Sequence, residues 1–196
     1  MTAVLLLRHA SPVLPGAPGF DEVSRPLTQQ GARDARALAE QLSTRKIDAL
    51  YSSPYRRAFE TVEPLAVARG LAVTVVPDFR EHQLSPEPIA HWREILSASW
   101  QDLDSAPGGG ETLRATILRG ISALEALRVR HPSDTIAIGG HGTIFACMLH
   151  AFVPGVDCQF HLAMPMPAVY ELSWGGGVWQ VVSGPGINPL ANAKVV

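Results

Sequence analysis

Val4-Leu5-Leu6-Leu7 is an unbroken apolar run that stops on Arg8-His9, two nitrogen-rich side chains. A short run of this kind reads as a buried strand. A loop rich in Pro and Gly follows from Ser11 to Pro26, and the period then changes. Ala32, Ala35, Leu38, Ala39 and Leu42 mark the apolar face of a helix from about Gln29 to Ser43, with Thr28 placed to cap it. Ile47 to Tyr51 predicts a second strand that ends at Ser52-Ser53-Pro54. Pro54 suits a first helical position and Ser53 its cap, and the helix carries Ala58, Val62, Leu65 and Ala66 inward as far as Gly70. Leu71 to Val76 alternates and is β-branched, which predicts a third strand. From Glu81 to Gly110 there is no clear period; Pro86, Pro88, Pro107 and a Gly triplet surround one short helical candidate, about Ile89 to Trp100.

The pattern becomes regular again in the second half. Leu113, Ile117, Ile121, Leu124 and Leu127 share a face of a helix from Glu111 to Arg130, which Pro132 stops. Thr135 to Ile138 predicts a fourth strand, ending in Gly139-Gly140-His141-Gly142, and Thr143 to Val153 an apolar helix. Val169–Trp174 and Val178–Val182 flank three glycines as a hairpin; after Gly184 the signals are weak. Alternation of strand and helix predicts an α/β fold in three layers, α/β/α. Its central sheet is mostly parallel, helices cover both faces, and the last hairpin is antiparallel at an edge. Residues 1–196 read as one domain with a variable insertion at about 82–109.

Composition narrows the function. The 196 residues are 46% apolar and only 17% charged, which argues for a substantial core and against disorder. The net charge of −2 comes with no polybasic run, so binding of nucleic acid or of an anionic membrane is not expected. Cys147 and Cys158 form no C-x-x-C pair, and Cys147 sits in an apolar helical stretch as a core residue. The N-terminal apolar segment is too short for a signal peptide and nothing is long enough to span a bilayer, so the expected location is the cytoplasm.

Three predicted strands end in reactive or anion-binding groups: Arg8-His9, the segment Ser52 to Arg57, and His141. A parallel sheet brings such ends to one edge, where ligands of α/β proteins bind. Guanidinium groups clamp phosphate oxygens, and a neutral imidazole nitrogen can attack phosphorus. Taken singly, Arg56 and Arg57 read as solvated helix residues and His141 as a satisfied core histidine.

The motifs together resemble a known family. Leu6-Leu7-Arg8-His9-Ala10 is similar to the Arg-His-Gly signature of the histidine phosphatase superfamily, whose fold is called phosphoglycerate mutase-like. Pro26-Leu27-Thr28-Gln29-Gln30-Gly31 resembles its Pro-Leu-Thr-x-x-Gly segment. Ser52-Ser53-Pro54-Tyr55-Arg56-Arg57-Ala58 with Thr61 resembles its Ser-Ser-Pro-x-x-Arg-Ala-x-x-Thr segment. Gly110-Glu111-Thr112 with Arg119, and Gly140-His141-Gly142, resemble two further landmarks. All occur in family order.

The resemblance implies that His9 is the nucleophile that becomes phosphorylated, that Arg8, Arg57 and His141 hold the phosphoryl oxygens, and that Glu81 is the proton donor, with His82 the alternative. It implies a metal-independent phosphomonoesterase without cofactor, acting on a small phosphorylated metabolite; a mutase or a non-catalytic phosphate-binding module are the other readings. Phosphoryl transfer asks for positioning and charge compensation, which two arginines and a second histidine supply. The donor needs a pKa raised towards neutrality. The chain departs from the pattern at Ala10, where Gly is usual, at Ser11-Pro12, where Glu-Thr is common, and at Pro15 in place of an Asn; no Trp-Glu-Gly follows Glu81. Arg56 reads as pocket rim or solvated helix face, Glu111 and Arg119 as a structural ion pair, and Trp92, Arg93 and Trp100 as pocket wall or packing. His82, His91, His131, His150 and His161 are too scattered for a metal site.

Overall fold

In a computed structural model, described for residues 1–87 and 89–188, the sheet has six strands in the order β3-β2-β4-β1-β5-β6. The strands are β1 (Thr2–Arg8), β2 (Ala49–Ser52), β3 (Val73–Val75), β4 (Thr135–Gly140), β5 (Ala168–Gly175) and β6 (Val178–Ser183). The first four in spatial order pair in parallel, while β5 and β6 are antiparallel. The helices are α1 (Gln29–Gln41), α2 (Arg56–Arg69), α3 (Trp92–Gln101), α4 (Leu113–Arg130), α5 (Gly142–Phe152) and α6 (Cys158–Ala163). Pro88 and the tail beyond Asn188 lie outside the described residues.

The strand-one run is uniformly apolar because both of its faces are covered. Val4 and Leu6 point into a core shared with α4 and α5, through Leu124, Leu127, Ile144 and Phe145. Leu5 and Leu7 point the other way, onto α1 and α2, through Leu38, Leu42, Val62 and Leu65. Strand residues alternate between faces, so one four-residue run feeds two cores. This is the three-layer arrangement the pattern predicts.

Some boundaries differ from the sequence expectation. Helix α2 starts at Arg56, capped at Tyr55, and not at Pro54 with Ser53 as cap. The Ser53 hydroxyl is committed elsewhere: it bonds His141 Nε2 at 2.7 Å and accepts the Tyr55 N–H at 3.2 Å. In α4 the buried stripe is Leu113, Thr116, Gly120, Ala123, Leu124 and Leu127; Ile117 and Ile121 are only partly covered. Gly120 lies against Met148 of α5, where an added Cβ would meet the Met148 Cγ at 2.8 Å, so a small residue marks the close approach of the two helices. The six-residue α6, capped by the Asp157 side chain, was not expected because it is too short to show a helical period.

Thr28 does two things at the start of α1. Its hydroxyl oxygen accepts the Gly31 N–H at 2.9 Å, and the Thr28 N–H donates to the Ser11 carbonyl at 2.9 Å. The Pro-Leu-Thr-x-x-Gly segment therefore ties α1 to the chain two residues after His9. A Cβ at Gly31 would fall 2.2 Å from that Ser11 oxygen. Gly31→Ala is expected to lower unfolding free energy by about 1–3 kcal/mol, as overpacking does. Denaturant unfolding checks this; an unchanged midpoint would show that the Ser11 turn can yield.

Candidate active site

Sheet register builds the site. Arg8 of β1 pairs with Gly140 of β4, and Ser52 of β2 pairs with Gly139. The next residues, His9, His141 and Ser53, therefore emerge side by side at the carboxyl edge. The His9 N–H donates to the Gly140 carbonyl at 3.0 Å and the Ser53 N–H to the Gly139 carbonyl at 2.8 Å, extending the ladder one step beyond the strands. The His9 and His141 rings stand edge to face, with centroids 5.3 Å apart.

His9 has a defined orientation. Its Nδ1 lies 2.8 Å from the Ala10 carbonyl, and Arg57 Nε donates to its Nε2 at 3.2 Å. The carbonyl can only accept, so Nδ1 carries the hydrogen and Nε2 keeps its lone pair. Burial, then the Arg57 charge, lowers the imidazole to about 3, against the pull of the Ala10 carbonyl; Arg8 lowers it further and Glu81 opposes. His9 is thus neutral through the physiological range. Ala10 causes no strain: among the described residues no residue other than Gly has positive φ, and the Ala10 N–H donates to Thr61 Oγ1 at 3.0 Å.

Arg8 and Arg57 flank His9. Arg8 Nη1 donates to the Met164 carbonyl, and its guanidinium rests on Gly142, where a Cβ would approach it to 3.0 Å. Arg57 is 2% exposed and donates to the Glu22 carbonyl and, at 2.7 Å, to the Glu22 carboxylate. Burial lowers both guanidinium groups from their ordinary value, yet arginine remains a cation in proteins. His141 is wholly buried behind His9; its Nε2 meets Ser53, its Nδ1 has no partner among the described residues, and burial holds it well below the ordinary imidazole value.

Glu81 sits at the N-terminus of α5. It accepts N–H bonds from His82 at 2.8 Å, Thr143 at 3.2 Å and Ile144 at 3.1 Å. Burial works to raise its carboxyl, but the His82 N–H, His161 when protonated, the Arg57 charge and the Thr143 N–H outweigh it, and the group lies below its ordinary value. This corrects the expectation of a raised pKa: the helix N-terminus favours a carboxylate. Arg119 holds Glu111 at 2.9 and 2.8 Å and donates to the Asp78 and Arg80 carbonyls, so this ion pair secures the segment leading into Glu81.

These groups open into a cavity of about 270 Å³ lined by Arg8, His9, Arg57, Glu81 and His82, with Glu22, Arg25, Leu84, Trp92, Leu96, Thr143 and His161 completing the wall. The larger groove beside α1, about 490 Å³, shares none of these residues. Glu22, Arg25 and His161 were not singled out from the sequence. Glu22 and Arg25 lie in the Pro/Gly loop, where no periodicity marks them, and α6 alone brings His161 in. Arg56 pairs with Glu60 at 2.6 Å on the solvated face of α2; Trp92 lines the cavity, Arg93 does not, and Trp100 packs against the core. Among the described residues no cluster of His, Cys, Asp and Glu is arranged to hold a metal ion, and no helix is long and apolar enough to cross a membrane.

Glu22 bridges Arg57 at 2.7 Å and Arg25 at 2.9 Å, occupying a guanidinium edge that an oxyanion would otherwise take. Glu22→Gln should tighten competitive inhibition by inorganic phosphate by about 3- to 10-fold, since a charge-assisted competitor is removed. Weaker inhibition would mean that Glu22 orients Arg57 and does not compete with anions for it.

The geometry agrees with comparisons to known proteins. Residues 4–184 match the family model of the histidine phosphatase superfamily, branch 1. Phosphoglycerate mutase-like protein 4 of Arabidopsis thaliana is 32% identical over 80% of this chain and 75% of its own length. Phosphoserine phosphatase 1 of Hydrogenobacter thermophilus is 27% identical over 80% of this chain and 78% of its own. A solved structure of a histidine-to-alanine variant of the Entamoeba histolytica phosphoserine phosphatase, in complex with phosphoserine, superposes with a TM-score of 0.76 at 17% identity, covering 95% of this chain and 98% of that one. With a single landmark order along the chain, a shared fold and a family match over nearly its whole length, the protein belongs to the histidine phosphatase superfamily, branch 1.

Proposed function

We propose that this protein is a metal-independent phosphomonoesterase that works through a phosphohistidine on His9. The observation that carries the reading is the His9 tautomer: Nδ1–H is held by the Ala10 carbonyl, so the lone pair is on Nε2, where it accepts the Arg57 Nε–H at 3.2 Å until Arg57 turns to the phosphoryl oxygens. Nε2 attacks phosphorus and the bond to the ester oxygen breaks. Arg8 and Arg57, which line the cavity, take the equatorial oxygens, which compensates charge where it spreads in the transition state; His141, wholly buried and outside the cavity lining, backs His9 and does not reach them in this geometry. The leaving alkoxide takes a proton from Glu81. Water then attacks the phosphohistidine, the electron pair of the P–N bond returns to Nε2, and Glu81 accepts the proton of the water.

Glu81 is a carboxylate before substrate arrives, so its proton must come with the substrate. A phosphate ester loses its second proton near pH 6, so the monoanion can deliver a proton to Glu81 on binding and stay as the dianion. His82 fits the donor role less well: burial lowers its pKa, against the raising charges of Glu81 and Glu111, and its Nδ1 is turned to Thr116 at 2.8 Å, away from the cavity. The expected pH profile follows. His9, at about 3, stays neutral above that value, so it gives kcat/KM no acid limb near pH 6.5. Instead kcat/KM falls about tenfold per unit above about pH 6, as the substrate monoanion is lost. A limb rising through pH 6.5 would overturn this assignment.

The reading takes residues 1–196 as one domain, with 82–109 as the variable cover of the site, and the substrate as a small phosphorylated metabolite. A cytoplasmic setting is part of it, supported by two unpaired cysteines, Cys147 and Cys158. The deciding experiment is a panel of phosphometabolites scored for phosphate release with and without chelator. Release that survives chelation is expected; an isomerised ester with negligible free phosphate would make the protein a mutase instead.

A further inference from the structure

We infer that the leaving-group side of the cavity selects phosphomonoesters whose alcohol portion is uncharged and rejects those with a carboxylate beside the ester. This rests on the phosphomonoesterase reading and goes beyond it, because relatives named for phosphoserine must accommodate a carboxylate.

The argument is a charge inventory. Three arginines line the cavity. Arg8 and Arg57 flank His9 and serve the phosphoryl group. Arg25 has each of its nitrogens engaged: Nε and Nη2 donate to the Glu22 carboxylate at 3.0 and 2.9 Å, and Nη1 donates to the Val13 carbonyl at 2.5 Å. Among the described residues, the cations next to the cavity are also committed. Arg80 pairs with Glu111 at 3.3 Å, and the Arg93 guanidinium lies over the outer Trp92 ring, 4.8 Å from its centroid, on the wall of a separate groove. The anions Glu22 and Glu81 both face the cavity.

The remaining wall is neutral. Leu84, Trp92 and Leu96 are apolar, and His82 offers a lone pair. The Thr116 hydroxyl donates to the Thr112 carbonyl at 3.3 Å, so it accepts from His82 Nδ1–H at 2.8 Å; Glu111, 3.9 Å from that nitrogen, favours the same tautomer. The buried Nε2 of His82, without a partner among the described residues, is therefore an acceptor. His161, lowered by burial to about 4, adds no cation at neutral pH. A substrate carboxylate here would meet the His82 lone pair and the Glu22 carboxylate in a poorly solvated space, with no uncommitted cation among the described residues. A hydroxyl or amide N–H would satisfy His82 Nε2, and an apolar or aromatic body would pack on Trp92 and Leu96.

Two matched pairs of esters test this: glycerol 1-phosphate against 3-phosphoglycerate, and benzyl phosphate against 4-carboxybenzyl phosphate. The neutral member of each is expected to have the higher kcat/KM by at least about tenfold. Calorimetric binding of the same four compounds to His9→Ala should give the same order. In Trp92→Arg, which places a cation on a partly exposed wall position, the preference should shrink at least about tenfold. If phosphate is released but the carboxylated members are equal or better, the selectivity is overturned and the phosphatase reading stands. If no ester releases phosphate, that reading falls and the calorimetric order decides the selectivity alone: tighter neutral members support it, equal or weaker ones overturn it. An unchanged ratio in Trp92→Arg would overturn missing charge as the cause.

Discussion

His9→Ala abolishes turnover, with kcat falling by at least about a thousandfold, because it removes the imidazole that is oriented by the Ala10 carbonyl and stands beside Arg57. His9 Nε2 is the lone pair that Arg57 Nε bonds at 3.2 Å, and His141, the other imidazole at this edge, is wholly buried behind it. The fold should persist. The substitution leaves Arg57 Nε without its acceptor, which costs about 1–3 kcal/mol for a buried donor, while the ladder bond from the residue 9 N–H to Gly140 at 3.0 Å is a backbone bond that alanine keeps. Three measurements check this: phosphate release, denaturant unfolding, and acid-labile labelling of the protein by a phosphodonor. Label should form on the wild type and be lost in the variant. Turnover at the wild-type level in His9→Ala would put the nucleophile elsewhere.

Glu81→Gln is expected to divide substrates by leaving group. For an alkyl phosphate, whose alkoxide needs a proton, kcat should fall by about 10²–10⁴; for 4-nitrophenyl phosphate, whose phenolate leaves with little help, the loss should stay under about tenfold. The amide keeps only one oxygen, enough for the His82 and Ile144 N–H groups that share Oε1 at 2.8 and 3.1 Å or for the Thr143 N–H on Oε2 at 3.2 Å, and it removes a charge from the N-terminus of α5, at a stability cost of about 1–3 kcal/mol. Equal losses on both ester types would show that Glu81 acts as a cap for α5 and not as the acid.

The parts of the site that lie next to a strand end could be read from the chain. Arg8 and His9 follow an apolar run, Arg57 follows Ser52-Ser53-Pro54, and His141 closes the Gly139-Gly140 pair; a parallel sheet turns such local neighbours into spatial ones. Glu22, Arg25 and His161 could not be read this way. Their loop and six-residue helix have no period, and they reach the cavity only through contacts distant in sequence, such as Arg57 with Glu22 across 35 positions. The tautomer of His82 and the ionised state of Glu81 were equally hidden, since both depend on which donors and acceptors surround them.

By itself the sequence determined the layers: four apolar residues before Arg8 require cover on both faces, and the spacing of Leu38, Leu42, Val62, Leu65, Leu124 and Leu127 supplies it. It also determined which side chains stand at the sheet edge. The tertiary structure alone decided the strand order, with β4 inserted between β1 and β2, so that His141 stands beside His9. It alone decided how charge is distributed around them. Periodicity is a property of the chain, whereas protonation and ion pairing depend on the distances at which charges meet once the chain has folded.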